Sequence, residues 1–292
     1  MIPIDFVIEK HIIFENKKED FPPFVILMSP HSQCKISLYG AQILSFIPHG
    51  SHDLLWLSKK AFYEKGKAIR GGIPLCFPWF ASAGSPAHGF ARIMPWKVVE
   101  SGVDAQGNPH IKLRLQANEQ TKVLWNYDFS AELFVKVSKK LEISLSITNK
   151  DDKSFSFTEA MHSYFQISDV QNVMIDGLQE SIFIDSLDFN RHKAEKDAIE
   201  IDSEIDRIYM NNKKSCMIND SGFNRQITIS KEHSSNTVVW NPWIKKSSTM
   251  NDMQKEDYKQ MICVESANIG DQKIVLESGD THTMDIKIYA TL

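Results

Sequence analysis

The chain has 292 residues, 42% of them hydrophobic and 24% charged, which is the composition of an ordinary globular protein with a sizeable core. Its formal net charge of -4 excludes the general positive field of a nucleic-acid-binding protein, so we expect no nucleic-acid partner. Asp5 and Glu9 interrupt the apolar N-terminal residues, and no apolar run reaches the roughly 18 residues of a membrane helix. We therefore expect neither a signal peptide nor a membrane partner.

Alternation of hydrophobic and polar residues is the dominant pattern along the chain, and it is typical of half-buried β-strands. It predicts strands over residues 111–117, 131–137, 141–147, 225–230, 236–240, 273–277 and 283–289. Gly, Asn and Asp residues separate these segments, which favours antiparallel sheets packed face to face. Because no linker or shift in composition divides the chain, we expect an all-β protein with a single domain over residues 1–292.

Few segments depart from this pattern. The best helix candidate is the short polar stretch of residues 250–259. The charged segment 190–204 and the segment 245–259 are predicted to be exposed insertions or long loops. Neither is expected to form a separate domain.

The four cysteines are scattered and include no CxxC pair: Cys34, Cys76, Cys216 and Cys263. This spacing favours reduced, buried thiols over a disulfide framework or a zinc site. The sequence also lacks a GxGxxG motif after a strand, a P-loop and an HExxH motif. We therefore expect a cytoplasmic protein without a metal or an organic cofactor.

Two glycine-containing segments carry side chains that suit an anionic ligand. In residues 70–74, Arg70 precedes two glycines and a proline, an irregular backbone that a ligand can approach closely. In residues 88–92, His88, Phe90 and Arg92 offer a hydrogen-bond donor, an aromatic face and a planar cation. Alternatively, the first segment is a strained surface loop with a solvated arginine.

Two strand-like segments carry buried-type titratable residues. His162 is in phase with Ala160 and Tyr164, whereas Glu159 points to the other face. Glu265 ends the apolar run that begins at residue 261, and a buried carboxylate needs a partner or a function. A structural histidine and a structural salt bridge remain the alternatives.

Together, the motifs RGGIP, CFPWF, HGFAR, EAMHSYF, DRIYM, VVWNPW and ICVESAN resemble the aldose 1-epimerase superfamily, and within it the glucose-6-phosphate 1-epimerase family. The matches extend in order from about residue 40 to about residue 268. The resemblance implies a galactose-mutarotase-like β-supersandwich that binds a phosphorylated aldohexose on a concave sheet face. It also implies that the enzyme interconverts the α and β anomers of this sugar.

The resemblance further assigns roles to individual residues. His162 and Glu265 match the catalytic histidine and carboxylate. The matches to substrate-binding residues are Arg70, Arg92 and Asp206, and His88 could add a hydrogen bond to the sugar. The chain departs from the family by having Ala87 before His88 and Trp79 in the CFPWF segment, where glutamine is usual. These departures affect the expected sugar preference more than the expected reaction.

Mutarotation requires only proton movement, so one group that titrates near neutrality and one carboxylate suffice. We expect Glu265 to act as the base and His162 as the acid, with a nearby carboxylate favouring the imidazolium. The alternatives are a mutarotase of free aldoses, a glycosidase or lyase using Glu159 and Glu265, and a non-catalytic sugar-binding module. We expect the protein to be a monomer.

Overall fold

A computed structural model of the protein describes residues 3–16, 21–192 and 196–291. Strands predominate in this part of the chain. In the first half they are β1 (Ile12–Glu15), β2 (Phe24–Met28), β3 (Ser32–Ser37), β4 (Gln42–Pro48), β5 (Leu75–Cys76), β6 (Lys97–Val103), β7 (Pro109–Gln116), β8 (Phe129–Val137) and β9 (Leu141–Asn149). The following strands are β10 (Phe155–Phe157), β11 (Glu159–Met161), β12 (Tyr164–Gln166), β13 (Val173–Asp176), β14 (Phe183–Asp185), β15 (Asn190–His192), β16 (Ile199–Glu200), β17 (Ile205–Tyr209), β18 (Cys216–Asp220), β19 (Arg225–Glu232), β20 (Asn236–Asn241), β21 (Met261–Asn268), β22 (Ile274–Leu276) and β23 (Thr281–Thr291).

The α-helices of the described residues are short. They are α1 (Glu119–Leu124) and α2 (Trp243–Thr249), and single 3-10 turns occur at Ile4–Phe6, Ala91–Ile93, Val170–Asn172, Asp257–Lys259 and Gly270–Gln272. Helix α1 begins at a capping box, in which the Asn118 side chain accepts the backbone N–H of Thr121 and the Thr121 hydroxyl accepts the N–H of Asn118. No helix in the described ranges has the length and apolar character needed to cross a membrane.

The described strands form two large antiparallel sheets and two small ones. The first large sheet has the order β16-β13-β18-β19-β23-β9-β8-β7-β6. The second has the order β15-β14-β17-β20-β21-β11-β5, and β12 follows β11 along the same side of β21. The order β1-β2-β3-β4 forms a third sheet, and β10 pairs with β22. The prediction of an all-β protein is confirmed.

The core lies between the two large sheets. Along β9, Leu141, Ile143, Leu145 and Ile147 are each at most 1% exposed, while the residues between them are half-buried. They belong to the same hydrophobic cluster as Ile262, Val264 and Met161 of the other large sheet. Burial of each such side chain contributes about 1.5–3 kcal/mol. The face of β21 that carries Cys263 and Glu265 therefore points away from this core.

Each predicted strand overlaps an observed strand, but the helix prediction over residues 250–259 is wrong. The helix α2 lies earlier, where the Asn241 side chain accepts the N–H of Trp243 at its first turn. Residues 257–259 form only a 3-10 turn. The helix ends at Thr249, and Met253, which is 2% exposed, packs in a cluster with Trp56, Tyr164 and Trp240.

The two predicted exposed loops are also more ordered than expected. In 245–259, the Ser247 hydroxyl donates to the backbone carbonyls of Gln254 and Lys255, which folds the segment onto itself. In 190–204, short strands β15 and β16 extend one edge of each large sheet. Residues 193–195 of that segment lie outside the described residues.

Candidate active site

The face of the second large sheet that points away from the core carries two adjacent rows of side chains. One row crosses four strands in register and contains Asp206, Trp240, Cys263 and Tyr164. In the next row, Val238 pairs with Glu265. Because β11 and β12 keep one register along β21, with Met161 opposite Ser266 and Tyr164 opposite Cys263, His162 lies opposite Glu265.

His162 and Glu265 form a buried pair. His162 Nδ1 lies 3.3 Å from Glu265 Oε1, and their side chains are 9% and 1% exposed. Neither His162 Nδ1 nor Glu265 Oε2 makes a hydrogen bond with the described residues. Buried polar atoms without partners are rare in folded proteins, so this pair has capacity left for a ligand.

The environment of the pair favours its uncharged forms. Burial raises the pKa of the Glu265 carboxyl, and the nearby charge of Asp206 raises it further, against the effect of Arg92. Burial lowers the pKa of His162, and His88, Arg92 and Arg70 lower it further. The expectation that a carboxylate would favour the imidazolium is therefore wrong for the free site, since desolvation and the positive neighbours outweigh Glu265.

His88 faces the pair from a tight loop. Its ring centroid lies 5.4 Å from that of His162. The Ala81 N–H points at His88 Nδ1 at 3.4 Å, which leaves Nε2 to carry the proton and to donate. Burial, together with Arg92 and Arg70, lowers the pKa of His88 to about 3, so the ring is neutral at ordinary pH.

The glycine after His88 is required by this loop. Gly89 has a φ of 73°, and a Cβ there would lie 2.0 Å from the carbonyl oxygen of Phe77. The backbone at residues 88–89 thus packs directly on the chain beside β5. This close approach holds His88 beside His162. Phe90 is fully buried, packed against Phe77, and does not face the site.

Arg92 follows in the 3-10 turn and has hydrogen-bonding capacity left. Its Nη2 donates to the carbonyl oxygen of Ala87 at 2.9 Å, and its buried Nε makes no hydrogen bond with the described residues. Ala87 therefore contributes its backbone to the placement of Arg92, while its methyl group is exposed. Trp79 serves the same loop, because its indole N–H donates to the Pro86 carbonyl at 2.7 Å.

Arg70 is fixed at both ends of its guanidinium. Its Nε donates to Asp252 Oδ2 at 2.9 Å, and its Nη1 donates to the hydroxyl of Tyr164 at 2.8 Å. Its other N–H groups make no hydrogen bond within the described chain. The next residue, Gly71, has a φ of 106°, and a Cβ there would lie 2.5 Å from the carbonyl oxygen of Trp56. This glycine lets the backbone approach that closely and so orients Arg70.

Every predicted site residue lies on or beside the face of the second large sheet that points away from the core, but two contributors were missed. The first is Tyr164, whose hydroxyl accepts a hydrogen bond from Arg70 and whose ring stacks on His162. Its position two residues after His162 in a strand indicates that both side chains lie on the same face. Asp252 holds Arg70 from a segment interpreted as a loop, where no sequence signal marked it. Glu159 lies on the opposite face of the sheet, as expected. There its Oε1 accepts a hydrogen bond from Asn268 Nδ2 and lies 2.8 Å from His282 Nε2.

One cluster of the described residues brings together atoms that could ligate a metal ion. The donor atoms of His162, Cys263 and Glu265 lie within 4.8 Å of one another. Burial raises the pKa of the Cys263 thiol, and Glu265 raises it further. Because metal binding needs the thiolate, this environment disfavours Cys263 as a ligand.

Known proteins share about a third of their residues with this chain. A protein of Escherichia coli strain K12, named as a candidate glucose-6-phosphate 1-epimerase, is 34% identical over 274 residues, which cover 92% of this chain and 91% of that protein. A protein of Cenchrus ciliaris with the same name is 36% identical over 267 residues, covering 88% and 81%.

Solved structures show the same fold. The crystal structure of a candidate mutarotase from Salmonella typhimurium has a TM-score of 0.88 at 31% identity and covers 96% of this chain and 94% of its own. A galactose mutarotase-like protein from Clostridium acetobutylicum has a TM-score of 0.77 at 14% identity, covering 96% and 98%. The predicted galactose-mutarotase-like fold is confirmed. The aldose 1-epimerase family model matches residues 24–289, and the chain therefore belongs to the aldose 1-epimerase family.

Proposed function

We propose that the protein interconverts the α and β anomers of a hexose 6-phosphate, with glucose 6-phosphate as its substrate. The observation that carries this proposal is the buried pair of His162 and Glu265 beside two arginines. The name of the Escherichia coli relative, at 34% identity, supports the same substrate. A buried acid and base with unused hydrogen-bonding capacity is the minimum equipment for opening and closing a pyranose ring.

In the proposed reaction, Glu265 removes the proton from the C1 hydroxyl while His162 protonates the ring oxygen. The bond between C1 and the ring oxygen breaks, its electron pair stays on the oxygen, and C1 becomes a carbonyl carbon. Rotation about the C1–C2 bond presents the other carbonyl face, and the reverse transfers close the ring. The reaction combines proton transfers with opening and closing of one C–O bond and involves no net oxidation or reduction, so it needs no redox cofactor.

The pair can reach its working state without exchanging protons with solvent. In the free site the directions of both pKa shifts favour a protonated Glu265 carboxyl and a neutral His162 imidazole. Transfer of that proton from Glu265 Oε1 to His162 Nδ1, over 3.3 Å, yields a carboxylate and an imidazolium. The net charge of the pair does not change.

The surrounding side chains suit a phosphorylated sugar. Arg92, with its unpaired buried Nε, and Arg70 supply planar donors for phosphate oxygens. Asp206 binds sugar hydroxyls, and the neutral His88 donates a hydrogen bond through Nε2. Trp240, 8% exposed, lies beside the pair with its ring centroid 6.2 Å from that of His162.

The test measures anomer exchange by magnetisation-transfer NMR between the two anomeric protons. We expect fast exchange of glucose 6-phosphate, and much slower exchange of free glucose. Mannose 6-phosphate and galactose 6-phosphate complete the panel, since Ala87 and Trp79 differ from the family pattern. Equal rates for glucose and its phosphate would instead support the mutarotase of free aldoses, and no exchange of any sugar would support a binding module.

We further propose that residues 1–292 form a single domain, that the protein acts as a monomer and that it works in the cytoplasm. The four cysteines are free and buried, which suits a reducing compartment. Sedimentation at micromolar concentration tests the monomer, and limited proteolysis tests the single domain. A mass above that of one chain, or two stable fragments, would contradict these proposals.

A further inference from the structure

Tyr164 lies between two groups to which the proposed function gives separate tasks. Its hydroxyl accepts a hydrogen bond from Arg70 Nη1 at 2.8 Å. Its ring stacks on the imidazole of His162, with centroids 4.8 Å apart and planes 9° apart. The proposed phosphate ligand and the proposed acid are thus joined by one aromatic ring.

The ring of Tyr164 is tightly confined. The residue is 1% exposed. Trp56 stacks beside it with centroids 5.8 Å apart, and Trp240 meets it edge-on at 6.0 Å. Close-packed side chains transmit displacement to their neighbours because they have no free volume to absorb it. A change in the position of the Arg70 guanidinium is therefore passed through Tyr164 to His162.

Asp252 completes this connection on the far side of Arg70. Its Oδ2 lies 2.9 Å from Nε, and the Ser58 hydroxyl donates to its backbone carbonyl at 2.6 Å. With Nε and Nη1 both engaged, Arg70 has few orientations available. Its remaining N–H groups are the ones that an incoming anion can bind.

Charge acts along the same path. Burial is the largest cause that holds the pKa of His162 below its usual range. His88 and the positive charges of Arg92 and Arg70 lower this pKa further. A phosphate dianion bound to both arginines compensates these charges, so it favours the imidazolium form of His162 that protonates the ring oxygen. A free aldose brings no such compensation.

We propose that the phosphate group of the substrate activates the His162–Glu265 pair in addition to anchoring the sugar, and that Tyr164 is the positioning residue that carries this effect from Arg70 to His162. The inference rests on the proposed function and extends it. It implies that a dianion accelerates the reaction even when it is not attached to the sugar.

The test divides the substrate into two pieces: D-xylose, which is glucose without its C6 group, and inorganic phosphite dianion. Polarimetry measures xylose mutarotation by the full chain with increasing phosphite, at a pH where phosphite is a dianion. The enzyme-free rate at each concentration is subtracted, because phosphite is itself a general acid–base catalyst. Tyr164→Phe removes the hydroxyl and keeps the ring. Tyr127→Phe, in the separate aromatic cluster with Trp125 and Phe155, is the matched control.

For the unaltered protein and for Tyr127→Phe, we expect phosphite to raise kcat/KM for xylose by about tenfold, the effect of one unit in the pKa of the acid. For Tyr164→Phe we expect phosphite to raise kcat/KM for xylose by less than about twofold. With glucose 6-phosphate as the substrate, we expect the kcat of this variant to be lower by about tenfold and its KM to change less.

Three results would overturn the inference while leaving the proposed function in place. They are turnover of glucose 6-phosphate without phosphite activation of xylose, equal activation in Tyr164→Phe, and a Tyr164→Phe variant changed in KM alone. Absence of glucose 6-phosphate exchange by the unaltered protein would overturn the proposed function itself, and the inference with it.

Discussion

Replacement of Glu265 by glutamine should slow the reaction strongly and stabilise the fold at the same time. Glutamine has the shape of a protonated glutamate but does not ionise, so it cannot accept the proton of the C1 hydroxyl. We expect anomer exchange to fall by roughly 10²–10⁴-fold, which corresponds to about 3–5 kcal/mol of transition-state stabilisation. The loss should appear in kcat, because the side chain keeps its volume.

The gain in stability follows from the pKa of the buried carboxyl. In the unfolded chain Glu265 ionises near about 4.3, whereas burial raises its pKa in the folded protein. Its contribution to stability is therefore fully present below the unfolded value and is lost as the pH rises towards the folded value. Relative to glutamine, the unaltered protein loses about 1.4 kcal/mol of unfolding free energy for each pH unit in that window.

Urea unfolding curves at several pH values between about 5 and 8 measure this difference. The advantage of Glu265→Gln should grow with pH. The control is Glu100→Gln, because Glu100 is exposed and its hydrogen bond to Lys112 lowers the pKa of its carboxyl. That variant should gain nothing with rising pH. A constant or shrinking advantage for Glu265→Gln, or retained exchange, would refute the reasoning.

Three further variants separate the roles of the neighbouring side chains. His162→Asn should reduce exchange of glucose 6-phosphate by roughly 10²–10⁴-fold in the NMR assay while the circular dichroism spectrum stays unchanged; unchanged exchange would remove His162 from the mechanism. Arg92→Ala should impair phosphorylated sugars far more than free glucose, and equal losses would mean that Arg92 does not bind the phosphate. Glu159→Leu should lower the melting temperature, since it removes the Oε1 that accepts a hydrogen bond from Asn268, yet retain exchange. Loss of exchange there would favour the paired-carboxylate alternative.

The sequence was sufficient to predict the regular strands and the face of each strand on which a residue lies. Strict alternation of apolar and polar residues, as in β9, determines which residues of a strand point to the buried face of the sheet. The same alternation correctly predicted that Glu159 and His162 lie on different faces of the sheet. It could not show that His162 and Glu265 would be neighbours, because that depends on the register of β11 and β12 against β21, a contact between segments about a hundred residues apart.

The remaining features depend on tertiary contacts without a local signal. Asp252 reaches Arg70 only because the 245–259 segment is folded back by Ser247 and anchored by Met253. The helix α2 could not be located from periodicity, because seven residues are too few to show a helical repeat. Its first N–H group, that of Trp243, donates to the side chain of Asn241. The protonation of the pair was misjudged for a related reason, because desolvation is a property of the complete site.

The site draws on two kinds of scaffold with different tolerance to change. Of the proposed acid and base, Glu265 lies on β21 and His162 lies between β11 and β12, which pair with it. The proposed phosphate ligands belong to irregular segments around residues 70–72 and 87–92, which pack closely on neighbouring backbone through glycines without room for a Cβ. The geometry of the His162–Glu265 pair therefore depends on strand pairing, whereas the proposed ligand preference depends on loops that can be replaced. An engineer who wishes to redirect the enzyme to another sugar phosphate can exchange the residues between those glycines and leave the strands untouched.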